Sequence, residues 1–130
     1  MKKLFTLFLF ILSLQMVSSQ VFKYNAYAVA FYDYEKENWD PFEETQILIS
    51  LNPDTSKLKI YSKETQAFDI ITTHEKVVDE DGDETYRLFC EDQNGITCYV
   101  DFVVLKSQGR SQVYVRYKDS QYVYNITAAD

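Results

Sequence analysis

From residue 24 to residue 34 the chain alternates, with Tyr27, Val29 and Phe31 at one parity and Ala26, Ala28 and Ala30 at the other. A period of two puts these sets on opposite faces of one long strand. The alanine face is small, which predicts close approach of another element there. Residues 35–45, EKENWDPFEET, break the alternation and form the longest connection. Ile47, Ile49 and Leu51 then share a face, Asn52-Pro53-Asp54 supplies a turn, and Leu58 and Ile60 resume inward, with Lys57, Lys59 and Tyr61 pointing out. A fourth strand is expected over residues 67–78, with a bulge between Thr72 and Lys76 resetting its facing.

Asp81-Gly82 lies between two strand-like runs and predicts a two-residue hairpin, with Val78 opposite Thr85 and Val77 opposite Tyr86. Asn94-Gly95, Gln108-Gly109 and residues 118–120 mark three further reversals. They separate strands at Leu88, at residues 96–106, at 113–117 and at 122–126. In the 96–106 strand, Val100, Phe102 and Val104 share one face.

The reading totals eight strands, and only the 35–45 connection is long. Short connections join antiparallel neighbours, and no stretch after the first twenty residues has the length and period of a crossover helix. The expected fold is all-β, an up-and-down meander closing or nearly closing into a barrel. A two-sheet sandwich is the alternative, and it needs a long excursion that only residues 35–45 supply.

The opening segment does not belong to this pattern. Lys2 and Lys3 precede an apolar run from Leu4 to Leu14, too short to cross a bilayer as a helix. Followed by small residues, it reads as an export signal over residues 1–19, cut before Gln20. Residues 20–130 are then a single β domain, secreted or periplasmic, with no transmembrane segment after cleavage. No Cys sits at the cut, so an N-terminal lipid anchor is excluded.

Charge narrows the partners. The 130-residue chain has 13 Lys and Arg against 20 Asp and Glu. Losing Lys2 and Lys3 leaves 11 against 20, a net charge of −9. Such a surface repels phosphate backbones, which excludes nucleic acid as a partner. All 11 Tyr lie after the signal and Gly is scarce, at 3, a composition that suits pleated sheet.

Cys90 and Cys98 are equidistant from Asn94. A hairpin loop with an odd number of residues places them directly opposite, and in an oxidising compartment a disulfide is expected. A five-residue loop makes them a non-hydrogen-bonded pair, the better geometry for a bridge. A three-residue loop, Gln93 to Gly95, makes them a hydrogen-bonded pair with Cβ atoms farther apart.

Candidate chemistry is sparse. The run Asp79-Glu80-Asp81-Gly82-Asp83-Glu84 does not match an EF-hand, whose Gly and bidentate Glu fall elsewhere. It reads as a charged hairpin tip, with no metal. His74 is the sole histidine, and no nucleophile or orienting group is placed beside it, so it reads as a surface or edge residue. Glu43-Glu44 carries no specific glycosidase signal. No cofactor motif is present, and the chain reads as a non-enzyme. Candidate binding residues are Trp39 and Phe42 on the long loop and a tyrosine-rich face of Tyr114, Tyr122 and Tyr124 with Arg116. Trp39 can equally fold back to plug one barrel end. Asn125-Ile126-Thr127 matches the glycosylation triplet.

In architecture, eight meandering strands in an exported chain resemble the small barrels of lipocalin type. The Gly-x-Trp of that family is absent, since Trp39 follows Glu37-Asn38 and comes after the first strand, so the resemblance implies no ligand transport. The function expected is an exported binding or interaction module for a small apolar ligand, a glycan or an extracytoplasmic protein. A structural or inhibitory protein acting by protein contact is the alternative, and a hydrolase is third.

Overall fold

The computed structural model describes residues 20–129. The signal expected over residues 1–19 lies outside them. The strands are β1 (Phe22–Asp33), β2 (Asn38–Trp39), β3 (Glu43–Asn52), β4 (Lys57–Tyr61), β5 (Gln66–Thr73), β6 (Val77–Val78), β7 (Glu84–Asp92), β8 (Thr97–Leu105), β9 (Arg110–Arg116) and β10 (Gln121–Ala128). Among the described residues there is no helix.

Eight of these strands pair antiparallel in chain order, and β10 returns to β1, so the meander is a closed barrel with two short additions, β2 on β1 and β6 on β7. Closure leaves no long unpaired edge on the barrel. The inward row runs through Ile49, Leu58, Ile60, Phe68, Cys90, Val100, Val113 and Val115, all at most 1 % exposed.

The structure corrects several details of the sequence reading. The expected 67–78 strand is two strands. A register shift between Ile70 and Thr72 flips the facing, β5 ends at Thr73, and pairing resumes only at Val77. The next hairpin pairs Val77 with Thr85 and Val78 with Glu84, one residue away from the expected register. The cause is a three-residue loop. Asp79 Oδ1 accepts the amides of Asp81 and Asp83, and Gly82 takes the left-handed position at φ 85°.

In β1 the two expected faces are broken by an irregularity between Ala26 and Ala28. Below it Tyr24 and Ala26 point inward with Ile49 and Ile47. Above it Ala28 and Ala30 join Asn125 and Val123 on the outer face.

Candidate functional site

The two barrel ends differ. At one end, the turns after β4, β7 and β9 sit over a filled interior. The side chains of Phe68, Tyr122 and Tyr124 occupy it, and Gln66 accepts a hydrogen bond from the Tyr122 hydroxyl. Tyr117 donates to Asp92 Oδ2 at 2.8 Å, while Asp92 Oδ1 accepts the amides of Asn94 and Ile96. Burial drives the Tyr117 and Tyr122 hydroxyls far above the ordinary tyrosine range, with the Asp92 carboxylate adding to the effect on Tyr117.

At the other end, where β1 begins and β10 finishes, the interior is open. A cavity of about 600 Å³ lies there, walled by Phe22, Tyr24, Leu51, Leu88, Phe102 and Ile126 among others. Its size is that of sites which hold drug-sized molecules, about 300 to 1,000 Å³. The wall is apolar because strands β1, β3, β7, β8 and β10 all reach this end with hydrophobic residues at inward parity. The rim carries charged side chains. Glu84 Oε2 is 2.7 Å from Lys106 Nζ, and Tyr86 donates to Glu84 Oε1 at 2.7 Å. Those two bonds, Lys106 first, hold the Glu84 carboxyl below its usual range.

A second arrangement occupies the outside. Ala30, Val123, Tyr114, Asp101 and Arg87 form one cross-strand row on the outer face of β1, β10, β9, β8 and β7. Asp101 is 2 % exposed there because two arginines cover it. Arg87 binds both carboxylate oxygens, and Arg116 Nε reaches Oδ2 at 2.9 Å. Burial raises the Asp101 pKa, but the two guanidiniums outweigh it, and the group stays below the ordinary value. Each arginine also lies on a tyrosine ring, Arg87 at 4.4 Å from the Tyr99 centroid and Arg116 at 4.3 Å from that of Tyr114.

Trp39 joins this outer cluster. β2 folds back on β1, pairing Trp39 with Tyr32, and the indole meets Tyr114 at 5.9 Å between ring centroids. It does not plug a barrel end. The small outer face of Ala28 and Ala30 is the room that the returning segment uses, and Ala30 is 1 % exposed.

Of the expected site residues, Trp39, Tyr114 and Arg116 are therefore together. Phe42 stays exposed and outside the group. Tyr122 and Tyr124 do not share a face with Tyr114. The β9–β10 register sets Tyr114 against Val123, so its tyrosine neighbours point into the barrel. Sequence reasoning missed Arg87, Asp101 and the cavity wall. Asp101 at the centre of the most hydrophobic strand was the available signal.

Cys90 and Cys98 are direct cross-strand partners, but the expected disulfide is absent and both thiols are unbonded. The loop is the three-residue one, closed by the Asp92 amide on the Ile96 carbonyl with Gly95 at φ 80°. Two residues further along, the cysteines fall on a hydrogen-bonded position, where Cα atoms stand about 5.5 Å apart rather than about 4.5 Å. Burial pushes the thiols up to about 12 at Cys90 and about 11 at Cys98.

The carboxylates of Asp79, Asp81 and Asp83 converge. Two of them already serve the fold, Asp79 in its own turn and Asp83 in accepting the amide and hydroxyl of Ser107. His74 is exposed, with its ring 6.0 Å from that of Tyr99. Asn125 is only 7 % exposed, and its carbonyl accepts from Gln112 Nε2 at 2.9 Å, so the folded strand has no room for a glycan there. Comparison of the chain with models of known families, with curated proteins and with solved structures finds no match in any of the three.

Proposed function

We propose that this is an exported, non-enzymatic binding protein that takes a small apolar ligand into the open end of its barrel. The observation that carries the reading is the cavity of about 600 Å³ with a wall of aromatic and aliphatic side chains. Water is poorly held in such a space, because an apolar lining offers it few hydrogen bonds. Closed strand pairing around it supplies a rigid wall, which limits the ordering cost of binding.

The test is titration with a neutral fluorescent probe, N-phenyl-1-naphthylamine. The expected result is saturable binding by the native protein and its loss in Ser111→Trp, where an indole placed on an inward wall position fills the space. The variant's β-sheet circular dichroism and thermal transition show that it is folded. Absence of saturable binding by the native protein, or full retention in folded Ser111→Trp, sinks the reading.

A second reading uses the outer cluster of Trp39, Tyr114 and Arg116, which combines aromatic area with guanidinium donors as glycan-binding or protein-binding surfaces do. Quenching or a shift of Trp39 emission by added oligosaccharides tests the glycan form of this reading, since Trp39 is the only tryptophan.

A further inference from the structure

The chemistry of the cavity wall narrows the ligand class, given the cavity reading above. The arginine and lysine side chains around the cavity face other groups or stand on outward-facing positions. Arg87 belongs to the wall, yet its Nε and a terminal nitrogen are both held by Asp101 on the outer row. His74 also borders the cavity, with its ring 6.0 Å from that of Tyr99. At the rim, Lys106 is bonded to Glu84, and Lys76 is close enough to lower the Glu84 pKa further. Lys23 and Arg110 occupy the outward-facing positions next to Tyr24 and Ser111. With Glu84 paired to Lys106, the negative charge left at the mouth is that of the neighbouring hairpin tip. Glu84 stands on the inner row opposite Val104, and the Asp79, Asp81 and Asp83 carboxylates gather on the hairpin tip that precedes it.

The wall also contains a hydroxyl that no protein group among the described residues accepts from. Tyr24 points inward, with its ring 5.5 Å from that of Phe102, and among the described residues its hydroxyl has no hydrogen-bond partner. Burial raises its pKa, so the phenol remains a donor at any physiological pH. A donor in an apolar wall gains most from an acceptor that brings no charge with it.

We infer that the cavity takes a neutral, mainly hydrocarbon ligand bearing a carbonyl or ether acceptor for Tyr24, and that it rejects the ionised carboxylate of a free fatty acid. An anionic head would enter at a mouth whose nearest lysines, Lys106 and Lys76, already face Glu84. An ester or ketone of the same chain length meets the phenol instead.

Competition against bound N-phenyl-1-naphthylamine at pH 8 tests this with two ligands of equal chain length, methyl decanoate and decanoate. Methyl decanoate is expected to displace the probe at a concentration at least about tenfold lower than decanoate does. Tyr24→Phe is expected to weaken methyl decanoate about 5- to 10-fold more than it weakens the probe, which has no carbonyl. Equal or better competition by decanoate overturns the selectivity while leaving the cavity reading intact. Parallel weakening of probe and ester in Tyr24→Phe assigns Tyr24 to packing and overturns its role as donor. Failure of the probe itself to bind removes the cavity reading, and this inference falls with it.

Discussion

Arg87 grips Asp101 at two points across β7 and β8, Nε to Oδ1 at 2.8 Å and a terminal nitrogen to Oδ2 at 2.9 Å, on the outer face of the barrel. An outer-row carboxylate would ordinarily be solvated, and this one is 2 % exposed. The pair, with Arg116, ties three strands together on the side opposite the core.

Asp101→Asn is therefore expected to destabilise the fold. Breaking a fully buried ion pair costs about 3 to 5 kcal/mol, but the arginine side chains here are 42 % and 33 % exposed and recover hydration. A loss of about 1 to 3 kcal/mol is the expected size. The pH dependence follows from the lowered Asp101 pKa. Its contribution is complete above the unfolded value near 3.8 and is lost as pH falls through the lower folded value. Followed from about pH 7 to about pH 2, the gap in urea midpoints between native and variant proteins should narrow once pH falls below the unfolded value near 3.8. A constant gap across that range contradicts the assignment.

The cysteines give a second test. With thiols held up to about 12 and about 11, alkylation by iodoacetamide at pH 8 should be slow in the native state and rapid in denaturant, with two groups modified per chain. The linkage acts at alkaline pH. Unfolded thiols ionise near 9 while the folded pair stays protonated to about 11, so stability should fall as pH rises through that window. Finding fewer than two thiols in denatured, unreduced material would show a bridge that the hairpin register disfavours.

At the filled barrel end, Asp92 serves three donors, the Asn94 and Ile96 amides and the Tyr117 hydroxyl. Asp92→Ala leaves all three without it and should cost about 2 to 3 kcal/mol. Tyr117→Phe removes only one bond and should cost about 1 kcal/mol. Denaturant midpoints with unchanged slopes would check both. Equal effects would mean that the carboxylate's role in the turn is negligible.

Trp39→Ala should lower the melting temperature and leave probe binding in the cavity unchanged, because the indole lies on the outer face against Tyr32 and Tyr114. A half-buried tryptophan makes a loss of about 1 to 3 kcal/mol reasonable, less than the 3 to 5 of a core site. Loss of probe binding in this variant would tie the two regions together and contradict their separation.

Much of the fold was legible because strand alternation and turn residues are local. The rows of Ile49, of Leu58 and Ile60, and of Val100 and Phe102 point inward as their parity requires, and Asn94-Gly95 and Gln108-Gly109 are turns. A meander follows from short connections between such strands, and a barrel, open or closed, was the expected outcome for eight of them.

Register was not legible, because one residue in a loop or bulge reverses every side chain beyond it. The Asx-type bonds of Asp79 moved Val77 opposite Thr85, the irregularity near Ala26 divided the β1 faces, and the β9–β10 pairing sent Tyr122 and Tyr124 inside. The cavity and the Arg87–Asp101–Arg116 cluster also belong to tertiary structure alone. The cavity gathers strands distant in sequence that only the closed sheet brings together, and the cluster depends on the registers of the consecutive strands β7, β8 and β9.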